Sequence, residues 1–454
     1  MTYKCFYKPH LLFLPVLLLF IPFVSVAQEM LLTIDDLFSL AERNSKSIRV
    51  SELAREEAEE AVRVSKNGYT PKIDFSASAS YLGNVWTMNR NLSNAEKFEI
   101  PHLGTNFAVE AVQVIYAGGA IKSGVDMAKL RKQSADVALE LNRQDVRFLL
   151  VGNYLELFKL YNQARVFKEN ISQTQRLVDD MRAREKAGIV LKNDITRYEL
   201  QLKSLELGLT QVENGIVILN HRIVTTVGLP DGTVIKVDEK IADELLPEMT
   251  SESEWQREAE GSSPVIKMSE IGVEQSKKAK RLITSEYIPS IVLFAGDQLS
   301  GPLTSGVPAL DRYAAMNMGV NLDQNMNLWY VGVGLKYNFS SVYQTTRKRR
   351  QADFAIQKAQ QQQELAKENI NIAVKAAYTR YMESFTIFDT QKKSLELAEQ
   401  NYNVVNNRYL NDLALITDML DASNQKLNAE LEVENSRINI IFHYYNLLKA
   451  VGKL

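Results

Sequence analysis

Apolar positions recur in this chain with two periods, and one gives way to the other at a proline, twice. Upstream of Pro71 the residues are charged and helix-like. From Pro71 onward they alternate: Ile73, Phe75, Ala77, Ala79 and Tyr81 on one side, Asp74, Ser76, Ser78 and Ser80 on the other. "SEYIPSIVLFAG" makes the same change at Pro289. A period of two marks a two-faced strand and 3/4 spacing a helix. A proline holds the residue before it out of the helical region, so it is a fitting boundary between them.

The two prolines are 289 − 71 = 218 residues apart, and other landmarks recur at a similar offset. Tyr116 in "VIYAGG" and Phe339 in "YNFSSV" close strand patterns 223 apart. "REKAGIVLKNDI" from Arg184 and "RYLNDLALITDM" from Arg408 lie 224 apart, each with an aspartate ten residues on, at Asp194 and Asp418. The spacing predicts two structural repeats, 28–240 and 241–454. Each has a helix (33–66, 252–286), a strand (72–82, 290–298), a polar loop (83–104, 299–328) and a second strand (105–116, 329–339). A long helix (120–183, 343–407) and a return helix (194–227, 418–450) follow. Gly228, Pro230 and Gly232 stop the first return helix, and the stretch to about 250 links the repeats.

From 343 to 407 there is neither proline nor glycine. A helix of that length spans roughly 100 Å, beyond the diameter of a compact domain. Ala352, Ile356, Ala359, Ala366, Ile370, Ala373 and Ala377 make a coiled-coil seam whose alanines let helices approach closely. The remaining surface is Lys, Gln, Glu and Asn, suited to water.

In "WYVGVGLKYNF", Trp329, Val331, Val333, Leu335, Tyr337 and Phe339 face one way; Tyr330, Gly332, Gly334, Lys336 and Asn338 face the other. Alternation over about 9–11 residues fits a tilted membrane strand, with Tyr81, Trp86, Trp329, Tyr330 and Tyr337 near strand ends where an aromatic girdle would lie. The alternative is the edge of a small soluble sandwich, and Val112 and Val114 on the nominally polar face blur the pattern at 105–116. Four strands cannot close a barrel, and an open edge in lipid costs several kcal/mol per unpaired backbone group. Membrane strands here require several chains in one barrel. Pro71 and Pro289, with Gly118 and Gly119 after the second strand, then mark the barrel–helix transition.

Composition narrows the classes. The chain is 45% hydrophobic, which excludes wholesale disorder. A net charge of −2 gives no footprint for nucleic acid. Lys4 and Lys8, the apolar run Leu11–Val24 and "SVA" at 25–27 read as a signal peptide over 1–27. The one cysteine, Cys5, falls inside it, so the exported chain holds no disulfide. His10, His102, His221 and His443 lack metal-ligand spacing. G-x-S-x-G, P-loop and H-E-x-x-H motifs are missing. No catalytic residue, metal or cofactor is expected, and the chain reads as a non-enzyme.

The duplicated pattern resembles the TolC-type outer membrane efflux proteins over nearly the whole exported chain. "LALITDMLDASNQKLNAELEV" (413–433) is similar to that family's second periplasmic helix turn, "AREKAGIVLKNDI" (183–195) to the first, and "AVGKL" to the close of its last long helix. The resemblance implies a mainly α fold with a membrane β-barrel: a homotrimer, four strands per chain in one twelve-stranded barrel, and an α-barrel tunnel in the periplasm of a Gram-negative bacterium. It implies a passive exit duct for tripartite efflux or type I secretion. Its partners would be outer membrane lipid, a periplasmic adaptor and an inner-membrane pump of RND, ABC or MFS type.

The resemblance also implies site residues. Asp418 and Asp421 match the aspartates that ring the tunnel's closed periplasmic end. Their i, i+3 spacing puts them on one helix face, and six clustered carboxylates in a trimer would favour cations. Both would also lie in the first turn of a helix, where aspartate is stabilised by the dipole alone. Asp194 and Tyr409 match positions that link neighbouring helices in the closed gate. The arginine usual in the second turn is Ala414 here, so Lys192 or Arg408 would have to substitute; an ordinary helix cap is the other reading of Asp194.

Two other classes stay open. A periplasmic coiled-coil adaptor has one helical hairpin where this chain has two. An exported enzyme on a helical scaffold needs convergent polar residues that the sequence does not offer.

Overall fold

The computed structural model describes residues 29–81, 83–98, 102–188, 191–238, 251–302, 325–411 and 413–454. The signal peptide, Leu82, and parts of the inter-strand loops and of the linker lie outside the described residues.

In chain order the elements are β1 (Glu29–Leu32), α1 (Ile34–Asn44), α2 (Lys46–Lys66), β2 (Lys72–Tyr81), β3 (Val85–Thr87), β4 (Glu96–Phe98), β5 (Leu103–Ala117), α3 (Ala120–Lys186) and α4 (Lys192–Val227). Then come β6 (Val234–Val237), α5 (Glu252–Ser262), α6 (Pro264–Ser285), β7 (Ser290–Pro302), β8 (Met326–Lys336), α7 (Ser341–Leu410) and α8 (Ile416–Val451). α7 has 70 residues, about 105 Å of unbroken helix.

β2, β5, β7 and β8 form one antiparallel sheet in that order. The helices that continue these strands pack in the same order: α2 on α3, α3 on α6, α6 on α7. Strand and helix sense alternates up and down across both layers. α4 and α8 return along α3 and α7. The largest apolar cluster lies at mid-length, where Leu37, Ile48, Leu150, Leu157, Val227 and Ile438 are buried together. Burying each such side chain contributes about 1.5–3 kcal/mol.

Several expectations need correction. The expected helices 33–66 and 252–286 are each two helices. Ser45 and Ser263 take extended ψ of 121° and 118°, and Pro264 starts α6 from the N1 position that suits its fixed φ. The expected strand 329–339 runs from 326 to 336, so Tyr337 and Phe339 lie past its end, in edge contact at 4.9 Å. β7 runs four residues beyond its expected end. In the α7 seam Ala373 is exposed and Val374 is buried, because a 3.6-residue helix drifts against a 3.5-residue pattern.

β1 and β6 pair in parallel, a contact the sequence did not suggest. Two tyrosines one heptad apart on α3 fasten the pair. The Tyr154 hydroxyl donates to Leu32 O at 2.6 Å and accepts from Asp238 N at 2.9 Å, and Tyr161 donates to Ile235 O at 3.0 Å. Burial pushes the Tyr154 phenol up to about 12.

Candidate functional site: barrel junction and helical tip

The sheet register sorts every strand residue onto one of two faces. Ile73 aligns with Ala111, Ala111 with Ala295, and Ala295 with Val331. The same face carries Phe75, Val109, Asp297 and Trp329, then Gln113, Leu293, Val333, Ile291 and Leu335, and is apolar here apart from Asp297 and Gln113. Val331 and Val333 are 67% and 70% exposed, so this apolar face is covered by nothing in the chain. The opposite face holds Lys72, Asp74, Ser76, Ser78, Ser80, Asn106, Glu110, Gln298 and Lys336. Val112 and Val114 do face that side, opposite Phe294 and Val292. Tyr330 aligns with Gly296 on the same side and its ring lies 6.1 Å from Phe294, so it is not part of a girdle on the apolar face.

The junction below the sheet is built differently in its two halves. Thr70, before Pro71, is extended at φ −103° and ψ 149°. At the other end of the hairpin Gly118 and Gly119 have φ of +59° and +84°. A side chain on Gly118 would sit 2.8 Å from Ile288 Cβ and 2.9 Å from Ser285 O, whereas Gly119 faces open space. Packing against the segment before Pro289 therefore demands Gly118, and Gly119 serves the bend alone. Between β8 and α7 the side chain of Asn338 makes the turn, accepting from Ser340 N at 3.2 Å and Ser340 Oγ at 2.7 Å. Tyr287 then ties α6 to α7, donating to Val342 O at 2.9 Å.

At mid-length each return helix ends on a break in the other helices. Gly228 follows α4 with φ +68° and its α-carbon packs on Asn44, whose Nδ2 donates to Val227 O at 3.2 Å. Gly452 follows α8 with φ +82° and packs on Ser263 and Pro264, while Ser262 Oγ donates to Val451 O at 2.7 Å. Asn44 and Ser262 each precede the serine that splits a helix pair.

At the far tip α3 ends at Ala187–Gly188 and α7 at Asn411, and Leu413–Leu415 lead into α8. Asp418 and Asp421 are both exposed, opposite the buried Ile416, Met419 and Ala422. Asp418 sits in the first turn and accepts from Leu415 N at 3.2 Å; Asp421 lies one turn later, so the capping role belongs to Asp418 alone. Asp194 is half-buried in the first turn of α4. Arg408 donates to Leu413 O at 3.3 Å, across its own turn. Lys192 is exposed, and neither cation forms an ion pair with Asp194 within the protomer. Ala414 is half-buried in the turn.

Tyr409 packs into an apolar tip cluster of Val178, Met181, Ile195, Tyr198, Ile416 and Met419, together with Tyr402. Tyr198 and Tyr402 escaped the sequence reading, although Tyr402 and Tyr409 share a helix face seven residues apart. Tyr198 Oη is buried without a hydrogen-bond partner among the described residues, and burial raises its phenol. Above it a cavity of about 270 Å³ opens between Asn170, Thr174, Tyr198, Tyr402 and Ser423. The closest side-chain link between the two hairpins here is Gln201 Nε2 to Asn424 Oδ1 at 2.6 Å.

Among the described residues no helix is long and apolar enough to cross a membrane, and no group of His, Cys, Asp and Glu could hold a metal ion. An open four-stranded sheet with one bare, largely apolar face, mounted on long water-borne helices, is the arrangement expected of one subunit's share of a membrane barrel.

Comparison with known proteins agrees. Residues 37–228 match the model for the outer membrane efflux protein family. The chain is 21% identical over 432 residues to the outer membrane protein TolC of Escherichia coli, covering 92% of this chain and 81% of that protein. It is 21% identical over 436 residues to TolC of Vibrio cholerae, covering 92% and 90%. The crystal structure of VceC from Vibrio cholerae superposes with a TM-score of 0.72 at 15% identity, covering 92% of this chain and 96% of that one. The chain is similar to the outer membrane efflux protein family, a family of passive channels, and shares the fold of the solved channels it superposes on.

Proposed function

We propose that three copies of this chain close one twelve-stranded barrel and one helical tunnel, forming the exit duct through which a periplasmic adaptor and an inner-membrane pump export cargo. The observation that carries the assembly is the pair of free sheet edges. β2 and β8 run in opposite senses, so β8 of one copy beside β2 of the next continues the antiparallel alternation. An eight-stranded barrel from two copies would be filled by its own side chains, while twelve strands leave a lumen. The chain divides into repeats 28–240 and 241–454, a division supported by the matched Asn44–Val227 and Ser262–Val451 contacts. The duct performs no chemistry of its own.

In this reading Asp418 and Asp421 face the axis and present six carboxylates at the narrow end. Asp194 and Tyr409 hold the tip helices together across or within subunits, with Lys192 free to meet a neighbouring chain. Asp418→Ala with Asp421→Ala should lower cation selectivity and relieve divalent-cation block in single-channel recordings. Unchanged selectivity and block would remove the two aspartates from the constriction.

A further inference from the structure

Four helices stand side by side beneath the sheet, and the outer flanks of the first and last, α2 and α7, are exposed at this level among the described residues. α2 turns Ile48, Ser51, Arg55, Ala58, Val62 and Ser65 toward α3. The opposite flank, read downward from the sheet, is Val64, Glu60, Glu57, Leu53 and Val50, at steps of 4, 3, 4 and 3 residues. All five are exposed, Val64 and Val50 by 65% and 66%.

α7 turns Ser341, Thr345, Arg349, Ala352 and Asp353 toward α6, where Arg349 lies over the Tyr287 ring and Asp353 pairs with Lys280. Its opposite flank, read downward, is Tyr343, Arg347, Arg350, Phe354 and Gln357, again at steps of 4, 3, 4 and 3 residues. Tyr343 and Phe354 are 69% and 58% exposed. Both seams begin at the same height: Val64 is eight residues before the first residue of β2, and Tyr343 seven after the last of β8.

We propose that these seams are the two halves of a subunit contact: α7 of one copy docks antiparallel on α2 of the next, with Arg347 against Glu60 and Arg350 against Glu57 between apolar contacts at Val64–Tyr343 and Leu53–Phe354. The occupant of each seam is a second copy of this chain. Period, height and helix sense agree, and the charges oppose: two acidic positions on one seam meet two basic positions on the other. Among the described residues Glu60 pairs only with Arg63, one turn away at the surface, at 2.8 Å, and Arg350 lies over its own Phe354 ring at 5.9 Å. Those local contacts are weak enough to be exchanged on docking. The pairs act chiefly on which neighbour and which register is accepted, since like charges brought together at an interface are strongly disfavoured. The inference rests on the self-assembly proposed above and fixes its lateral register.

A charge-swap cycle tests it. Arg347→Glu with Arg350→Glu should reduce the trimer that survives detergent electrophoresis without boiling several-fold, as should Glu57→Arg with Glu60→Arg. All four substitutions together should restore it. Because the sequence has no cysteine beyond Cys5, Glu60→Cys with Arg347→Cys should in addition give an oxidant-dependent ladder ending at three linked chains. Unaffected trimer in both double variants, with no ladder, overturns the seam while leaving assembly standing. A quadruple variant as defective as the doubles also overturns it, and points to arginines that meet anionic headgroups instead. A wild-type chain that never forms trimer removes the assembly reading itself.

Discussion

Val331 offers the sharpest perturbation of the membrane assignment. It lies in a row of apolar residues that crosses all four strands, Ile73–Ala111–Ala295–Val331, and is 67% exposed. Trp329 and Val333 flank it on the same face, so it sits well inside the apolar band. An arginine on the lipid face near the midplane costs about 2–4 kcal/mol, or about 6–12 kcal/mol for three copies in one barrel. Ser78→Arg is the internal control. Ser78 aligns with Asn106, and Asn106 with Ser300, on the polar face, where an arginine would point into water. There the change should stay within about 0.5 kcal/mol. The assay is the yield of heat-modifiable trimer in outer membrane fractions, followed by urea unfolding in lipid vesicles. Val331→Arg should lose most of its trimer and shift the unfolding midpoint down, and Ser78→Arg should behave as wild type. Equal behaviour of the two variants, or damage only at Ser78, would refute the assignment of faces.

Other outcomes follow from the junction, the core and the tip. Gly118→Ala must fit a methyl 2.8 Å from Ile288 Cβ at φ +59° and should cost well over the ~1–2 kcal/mol of left-handed strain alone; Gly119→Ala, facing open space, should cost only that strain. Thermal unfolding distinguishes them. Tyr154→Phe removes the hydroxyl's bonds to Leu32 O and Asp238 N and should destabilise by about 1–3 kcal/mol, while Tyr198→Phe removes a buried hydroxyl with no hydrogen-bond partner among the described residues and should be neutral or stabilising. His443 is held below its usual range by burial, then by Arg380, with Glu383 opposing, and its Nδ1 is buried without a hydrogen-bond partner among the described residues. The folded chain therefore resists protonation: this contribution is fully present above about pH 6.5 and lost as pH falls from there through the folded value. His443→Gln should flatten that acid limb of the stability profile.

Much of this architecture was legible because its periods are long and physically enforced. A strand with lipid on one face and water on the other must alternate, so β2 and β8 announced both their existence and their faces. Helices of 67 and 70 residues in water need a sustained seam, and that seam was visible in α7. The breaks at Ser45 and Ser263 were hidden because the apolar spacing continues through them. The visible cue was a serine at the N-cap position, which makes no side-chain cap in either case, reinforced by proline only at 264. β1 and β6 are four residues each and owe their pairing to Tyr154 and Tyr161 on a helix more than a hundred residues from β1. In β5 the register shifts between Val114 and Tyr116, which resets the alternation beyond Val114, while Val112 and Val114 themselves face the polar side beside Phe294 and Val292. At the tip the aspartates stood out by charge, but Tyr198 and Tyr402 looked like ordinary seam residues. Only the packing of the two hairpins brings them beside Tyr409.

The mass of the particle extracted from the outer membrane in mild detergent tests the central claim most directly, measured by light scattering with the bound detergent subtracted. Three chains per particle is the expected result. A single chain that stays folded and dispersed would contradict it, because one protomer's sheet leaves both β2 and β8 unpaired in lipid.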